Sequence, residues 1–477
     1  MFCNETDRTL RKAGATASAP LRGFESTSNG GTGRKQLPAQ FTFTGPTHFE
    51  PTPQYGLDTS HDDLALGHFH AHHILRPASA SGYGRITDEG LLMSMKALGM
   101  ASYSTSARSA QLMTAARVFY LNAIQQTNAA LACADRATRD STLLSVIILS
   151  YFESTTGTDK RSLIAWSDHI KGTAALIEMR GPEQIQSNEG RLLFMQATSN
   201  LMSNCLRNNL RVPSSIRSIM NEADKYRNDP GDPVGRVHTA MLDLTDFYSD
   251  VMNGRTTDVK LLIGTALKLD HRLSTAFDEA PPEWACNTIS TTDGSFPPYY
   301  LVYADSLSAQ IHNSMRNGRI IAHEIVLLTL KKVMSLCPEL ATQANATQVA
   351  ASRAVSQDLS VQILASVKQH IGMDCAEISS SGRNASHPNH NDEETIPAPS
   401  QGVSHLLRLP NQNLPVLRTS KRYSLMWSLT LVASVSSSTS EMRRCACRML
   451  RLVGHRLGVQ HALLLADEYS GQCASEL

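Results

Sequence analysis

The sequence has no excess of either charge sign, few aromatic residues and no long hydrophobic run. Its 477 residues carry 44 Lys and Arg against 43 Asp and Glu, a formal net charge of +1. Proteins that bind nucleic acid over a broad surface need a basic excess, so this class is not indicated. The longest apolar patches, such as WSLTLVASV from Trp427, fall well short of the roughly 20 residues that a membrane-spanning helix needs.

Cysteine is also sparse, which excludes a secreted disulfide framework. The nine cysteines are scattered and odd in number, and Cys3 is the first while Cys133 is the second. Most lie in apolar surroundings, as expected of buried thiols in a reducing compartment. The N-terminus, MFCNETDRTLRKAG, lacks the apolar core of a signal peptide. We therefore expect a soluble intracellular protein.

Two segments are too polar to build a packed core. Residues 1–60 are rich in Gly, Pro, Ser and Thr, and we predict a disordered N-terminal tail. Residues 378–402 have a similar composition and are predicted to form a mobile, exposed insertion. GGTGRKQ at Gly30 is not a phosphate-binding loop, because Gln36 stands where Ser or Thr belongs and no strand precedes it.

The rest of the chain, residues 61–477, has apolar residues three or four positions apart, which is typical of helices. Strand-like alternation is almost absent. We therefore predict an all-α fold, an irregular array of many helices that begins near Thr87 as the first N-cap. Helices are predicted over DSTLLSVIILSYFE and over 236–253, 257–277, 303–336, 348–372 and 442–468.

The segment AWSDHIKGTAALIEMRGPEQ, residues 165–184, raises the question of an active site at His169. A helical wheel places His169 on an apolar stripe, while Asp168 points about 100° away and cannot orient it. No Gly-x-Ser-x-Gly nucleophile motif occurs in the chain. We predict no catalytic residue here, and a helix that ends at Gly181 before Pro182. Six positions are expected to be structural: Trp166, His169, Gly172, Leu176, Arg180 and Gly181.

HDDLALGHFHAHHIL, residues 61–75, is the most tempting metal candidate. His68 and His72 are four apart, the spacing of two ligands on one helix face. Because no third ligand accompanies them in a rigid element, we assign no metal site. At most weak, adventitious binding is expected, and the segment is interpreted as a polar lead-in to the first core helix.

Three other patterns carry no assigned chemistry. Cys445 and Cys447 would diverge by about 200° on a helix and cannot hold one ion together. His323-Glu324 lacks the second histidine of a zinc-protease helix. A basic cluster on the same predicted helix as the two cysteines could contact phosphate or an acidic partner, although a solvated face is the simpler interpretation. It comprises Arg443, Arg444, Arg448, Arg451 and Arg456.

Taken in order, four stretches resemble the fungal-specific regulatory domain, the middle homology region of the fungal zinc-cluster transcription factors. The likeness is dense over about 90–215 and diffuse to about 470. The stretches are KALGMASYS…AARVFYLNAIQQTNAAL with Tyr120 and Ala123, DSTLLSVIILSYFE ending in Glu153, Trp166-x-x-His169-x-x-Gly172 through Arg180-Gly181, and the helix with Asn313, Arg316 and Arg319.

This resemblance implies an all-helical regulatory domain over 61–477 in a nuclear transcription regulator, with secondary metabolism as a process to be regulated. Its expected partners are proteins, either of the transcription machinery or a DNA-binding regulator, and a homo- or heterodimer is a further expectation. A small effector held between helices is also implied. In this family the Trp166, His169 and Gly172 positions look like scaffold.

The resemblance has one departure. The family's DNA-binding module holds two zinc ions on six closely spaced cysteines, and such a cluster is not present in this sequence. We therefore expect no cofactor in this chain, with zinc only if a cluster lies upstream of Met1, and direct DNA binding is not supported. Either the gene start is placed too late, or the protein is a regulator without the cluster.

Two other functions are compatible with the same sequence. An α-helical enzyme of secondary metabolism would need an Asp-rich metal motif on a core helix, and His61-Asp62-Asp63 is the only candidate. A helical adaptor protein with no transcriptional role needs no such motif. The absence of a catalytic constellation favours the regulator over the enzyme.

Overall fold

A computed structural model describes residues 60–73, 88–226, 232–291, 294, 296–340, 342–371 and 420–475. The predicted tail before Ser60, the GGTGRKQ motif and the predicted insertion 378–402 lie outside the described residues. The all-α prediction is confirmed, since helices form nearly all of the regular structure in these ranges.

Seven α-helices form the first half of the described chain. They are α1 (His61–His73), α2 (Glu89–Ala107), α3 (Ala110–Leu131), α4 (Ala134–Ala137), α5 (Asp140–Thr156), α6 (Lys160–Arg180) and α7 (Asn188–Asn208).

Eight further helices and one hairpin follow. They are α8 (Ser214–Ala223), α9 (Pro233–Met252), α10 (Val259–Ser274), strands β1 (Cys286–Ser290) and β2 (Tyr299–Tyr303), α11 (Ser306–Leu336), α12 (Gln343–His370), α13 (Ser420–Ser434), α14 (Ser440–Leu457) and α15 (Gln460–Ser475).

Helix α11 is the centre of the second half. It has 31 residues and packs against α9, α10, α12 and α13, while α7 joins this group through α6 and α9. A continuous apolar core runs from α2 to α15, and a smaller cluster lies between α1, α2, α3 and α5. Several of the helices start at a side-chain cap. The Asp305 carboxylate, for example, accepts the Ser308 N–H at 2.9 Å.

Three local predictions need correction, and one element was not predicted. Asp88, not Thr87, caps α2 by accepting the Leu91 N–H at 2.9 Å. The histidine-rich segment is a full helix, α1, rather than a polar lead-in, because Ala65 and Phe69 are completely buried against α2.

The span 442–468 is two helices, separated where Gly458 adopts a φ of 70°. The hairpin was not predicted; β1 and β2 pair antiparallel, with Cys286 opposite Tyr303.

None of the helices in the described ranges combines the length and apolarity that crossing a bilayer requires.

The contact of α1 with α2 depends on Gly99. A Cβ atom at this position would overlap the backbone carbonyl of Ala65, which cannot move without displacing α1. We expect Gly99→Ala to lower the free energy of unfolding by about 1–3 kcal/mol and to increase amide exchange in α1. Both are measured by urea denaturation and hydrogen exchange of the full chain.

The control is Gly264→Ala in α10, where a Cβ meets nothing within 4 Å. There the gain in helix propensity should raise stability by about 0.5–1 kcal/mol. Equal effects at the two positions would contradict the predicted role of Gly99.

Candidate functional site

Helix α6 carries the predicted structural residues on its buried face. Trp166, His169, Gly172 and Leu176 are all buried, and Lys171 on the opposite side is exposed. The wheel therefore predicted the orientation of this helix correctly. The six positions lie in the core and at the end of the helix, which is where a structural role would put them.

His169 is held by a chain of polar groups that sequence spacing alone did not reveal. The Tyr120 hydroxyl donates to Glu153 Oε1 at 2.7 Å, and His169 Nε2 lies 3.1 Å from the same hydroxyl. A phenol has one proton to donate, so Nε2 must carry a proton and donate it to Tyr120. Asp168 instead pairs with Lys171 at 3.0 Å. The imidazole is thus tied to α3 and α5.

The end of α6 is fixed by charge and by backbone geometry. The Arg180 guanidinium forms a salt bridge with the Asp140 carboxylate at the start of α5. Gly181 has a φ of 67°, a region that favours glycine, and its N–H donates back to Ile177 and Glu178. The Gln184 side chain donates to the Ile177 and Gly181 carbonyls.

The histidines of α1 do not assemble a metal centre. His73 is buried with Nε2 2.8 Å from the Ser102 hydroxyl, and Asp62 pairs with Lys96 at 2.8 Å. The His68 and His72 rings lie with centroids 4.2 Å apart. In the part of the chain that the structure describes, no group of three or more His, Cys, Asp or Glu side chains is placed to hold a metal ion.

The two cysteines of α14, His323 and the basic cluster contact residues of the fold. Cys445 and Cys447 are both buried, and burial raises the pKa of the Cys445 thiol. His323 lies 3.3 Å from Asp270, which also accepts from Arg319 at 2.7 Å. From the basic cluster, Arg451 pairs with Asp467 at 3.1 Å.

Asn313 and Arg316 join α11 to the hairpin and to α12. Arg316 is 2% exposed, and its guanidinium donates to the Tyr303 hydroxyl at 2.7 Å, Asn313 Oδ1 at 2.9 Å and Gln362 Oε1 at 3.0 Å. Burial raises the pKa of Tyr303 to about 12, so its phenol stays neutral beside the cation. These residues build the fold rather than a site.

The feature best suited to ligand binding is a cavity of about 810 Å³. It lies between α7, α9, α11 and α13, and the turn at Pro281–Trp284 and Tyr469 of α15 complete its wall. Drug-sized and cofactor-sized ligands occupy cavities of roughly 300–1,000 Å³. The volume is therefore sufficient for a small organic molecule.

Helix α7 forms one wall of the cavity with a stripe of uncharged polar residues. Gln196, Ser199, Asn200 and Ser203 recur three or four positions apart, so they share a face. The Gln196 and Asn200 amide nitrogens donate to the Tyr151 hydroxyl at 3.0 and 3.3 Å. This phenol is part of the buried stack of Tyr151 on Tyr423, whose ring centroids are 4.3 Å apart.

The facing walls mix polar and apolar groups. Helix α11 contributes Gln310, Ser314 and Asn317 together with Ile311 and Ile321. Helix α13 contributes six lining residues, and α9 and the Pro281–Trp284 turn contribute five more. Those of α13 are Tyr423, Ser424, Trp427, Thr430, Leu431 and Ser434; those of α9 are Val237, His238, Met241 and Tyr248, and the turn adds Trp284.

Helix α6 contacts the cavity wall where its Trp166 packs against Trp427 of α13. The rings of Trp166 and Trp427 lie with centroids 5.2 Å apart, and Trp427 lines the cavity. On the other side, the Arg207 guanidinium lies 5.3 Å from the Trp427 ring centroid, within the range of a cation–π contact. Trp166, expected to be structural, is thus one layer behind the cavity wall.

The family comparison agrees with this architecture. The protein family described as fungal specific transcription factor domain matches residues 73–320, which is more than half of the chain. The chain belongs to this family. Among curated proteins and among solved structures, no match to the chain was found.

The fungal transcription factor domain contributes only part of the cavity wall. The matched range contains α7 and α9 and ends at Ile320 within α11. Helix α13 and Tyr469 follow the matched range, yet they line the same cavity. The C-terminal helices are therefore integral to the site.

The zinc implied by the family's DNA-binding module does not fit the described cysteines. Cys133, Cys205, Cys286 and Cys337 form no disulfide and lie in separate parts of the fold, whereas Cys445 and Cys447 share α14 but diverge by about 200° around its axis. Zinc in such modules needs several cysteines converging on one point. No zinc-dependent step is assigned to this domain.

Two buried histidines next to the cavity helices stay neutral well below their usual pKa. Burial, assisted by the Arg316 charge, lowers the pKa of His312 to about 4, and its Nε2–H donates to the Trp284 carbonyl at 2.9 Å. Burial, assisted by Arg207, lowers the pKa of His461 to about 3, and its Nε2 lies 2.9 Å from the Ser162 hydroxyl.

The resemblance implied an effector between helices, but the place and the lining of the cavity were not predicted from the sequence. Gln196, Ser199, Asn200 and Ser203 were not singled out, because a polar stripe on a helix normally faces water. The available signal was that residues 192–206 contain no charged side chain, which is unusual for a solvated helix face.

The Tyr120 hydroxyl is predicted to stabilise the helix packing around His169. Tyr120→Phe removes both hydrogen bonds and leaves the Glu153 carboxylate without this donor. We expect a loss of about 1–3 kcal/mol in the free energy of unfolding, measured with urea. Tyr103→Phe in α2 is the control, because its hydroxyl forms no hydrogen bond with another described residue; similar losses would count against the prediction.

His461 is predicted to make the protein acid-sensitive. Between pH 6.5 and about 3 the native chain keeps this imidazole neutral while the unfolded chain protonates it. The unfolded state therefore binds more protons, and stability falls as the pH falls through this window. Urea denaturation at pH 6.5, 5.5 and 4.5 measures the slope.

His461→Gln should reduce that slope by up to about 1.4 kcal/mol per pH unit. The exposed His455, changed in the same way, serves as the control. Parallel pH profiles for wild type and His461→Gln would show that this imidazole does not contribute.

Proposed function

We propose that this member of the fungal transcription factor domain family regulates transcription in the nucleus through protein partners. An effector that binds in the cavity between α7, α9, α11 and α13 controls this activity. The observation that carries the proposal is the coincidence of family membership with an 810 Å³ cavity whose walls come from four separate helices.

The position of the cavity supports a regulatory use of binding. A ligand that contacts several helices at once favours the arrangement in which all of those contacts form. Helices α7 and α9 belong to the matched range and α13 does not. An effector would therefore change how the C-terminal helices sit against the family domain, and partner proteins would respond to that arrangement.

The route to DNA is proposed to be indirect or to depend on a module outside the described residues. The described surface has no zinc-binding group of three or more ligands. The net charge of the chain is only +1. Protein partners, either a DNA-binding regulator or the transcription machinery, are therefore the proposed means of reaching promoters.

The test is a reporter assay with the full chain fused to a foreign DNA-binding module. The fusion should raise or lower reporter transcription in at least one growth condition. Absence of any effect across conditions would contradict the regulatory role.

The effector's role is tested in the same assay by filling the cavity. Ser314 lines it from α11, and Ser314→Phe places a phenyl ring inside. We expect this variant to lose the change in reporter output between growth conditions, because the effector is excluded.

Ser335→Phe is the matched control. It makes the same change on an exposed position of α11. If Ser314→Phe and Ser335→Phe both respond to growth conditions as the unchanged fusion does, the cavity is not the regulatory site.

A further inference from the structure

We infer that the cavity binds an uncharged ring compound that carries several hydroxyl groups, the chemistry of a polyphenol. The inference deepens the proposed function. Only the ligand's role as an effector rests on that function; binding of the ligand does not depend on transcription. It follows from three properties of the wall: its hydrogen-bonding groups, its apolar surface and its charge.

The polar groups of the wall have mostly used their donors already. The Ser199 hydroxyl donates to the Met195 carbonyl at 2.8 Å, and the Ser203 hydroxyl donates to the Ser199 carbonyl at 3.1 Å. The Gln196 and Asn200 amide nitrogens donate to Tyr151. What these four side chains have left to offer are oxygen lone pairs and one further N–H on each of the two amides.

Asn317 repeats this arrangement on the facing helix. Its amide nitrogen donates to the Ser428 hydroxyl at 2.9 Å. Its Oδ1 is buried and accepts no hydrogen bond from any described residue. A buried acceptor without a donor is costly, and Asn317 lines the cavity, so a ligand hydroxyl that reaches Oδ1 as the amide turns would relieve that cost. The wall therefore offers more acceptors than donors, and a hydroxyl group, which can donate and accept, matches both.

The apolar part of the wall requires flat, ring-like surface on the same ligand. Trp284 is 3% exposed, and it lines the cavity with Trp427, Met241 and Ile311. Aromatic and thioether groups of this kind pack well against ring faces. A plain sugar would leave this surface without an apolar partner. A fatty acid or a hydrocarbon would leave the polar stripes without hydrogen bonds.

The charges at the cavity do not favour a charged ligand. Its charged lining residues are Arg191, Arg207, Asp232 and Glu283, two of each sign. Arg191 donates to the Ile185 carbonyl at 2.8 Å, and Arg207 stacks on Trp427. Because the two signs balance, the lining has no net charge that would favour an anion or a cation, and a neutral ligand does not face the cost of losing its ionic hydration.

The first experiment compares two probes with the same ring frame, in one of which methyl groups replace the hydroxyl protons. Resveratrol has three phenolic hydroxyls, and its trimethyl ether has the same ring frame with no donor. Equilibrium dialysis against the full chain should show one-to-one binding of resveratrol and about tenfold weaker binding of the ether. Oleate and glucose, the acyl-chain and sugar comparators, should bind more weakly than resveratrol.

Variants then place the binding in the cavity. Asn317→Leu and Gln310→Leu each remove a polar group of the wall at similar volume and should weaken resveratrol about three- to tenfold. Neither should weaken the ether. Gln125→Leu, on the exposed face of α3, is the matched control and should leave both probes unchanged. Circular dichroism verifies that each variant is folded. One folded cavity variant is enough for the test.

The outcomes separate this inference from the proposed function. Equal or tighter binding of the ether, tighter binding of oleate or glucose, or no binding of any probe would overturn the assigned ligand class. Resveratrol binding that neither cavity variant changes would overturn the assigned location. If resveratrol binds as expected but the reporter fusion is inactive, the ligand class stands and the regulatory role fails.

Discussion

The burial of one cation, the Arg316 guanidinium, constrains the second half of the fold. Taking such a charge out of water costs on the order of several kcal/mol unless hydrogen bonds replace the solvent. Its acceptors on Tyr303, Asn313 and Gln362 belong to the hairpin, to α11 and to α12. Satisfying this charge therefore fixes where these three elements meet, and it sets the rotation of α11 about its own axis.

That rotation determines what α11 presents to the cavity. With Asn313 and Arg316 directed at the hairpin and α12, the residues Gln310, Ser314 and Asn317 on the adjacent face of the helix line the cavity. Helix α11 thus has one polar face whose hydrogen bonds are made to other parts of the protein and a second polar face that lines the cavity. Because the first is buried and rigid, the second is a stable reference surface. The proposed response to a ligand would then fall on α7, α9 and α13, which form the other walls of the cavity.

The orientation of single helices was predictable, since it depends on residues a few positions apart. The buried stripe of α6, with Trp166 and His169, follows directly from the period of 3.6 residues. The partner of His169 was not predictable in this way, because Tyr120 lies 49 positions away. The hairpin escaped prediction for a different reason: strands of five residues between prolines give too short an alternation to distinguish from loop.

The cavity is harder to predict, because it is the volume that several helices leave unfilled. Even so, charge patterning carries information about it. Where α8 and α9 meet near the solvent, ion pairs join them: Arg217 of α8 binds Asp243 and Asp246 of α9. The stripe on α7 within residues 192–206 is equally polar but has no charged residue. A long helix face that is polar and uncharged has neither the apolar groups of a core nor the ions of a surface, and on α7 this face lines the cavity.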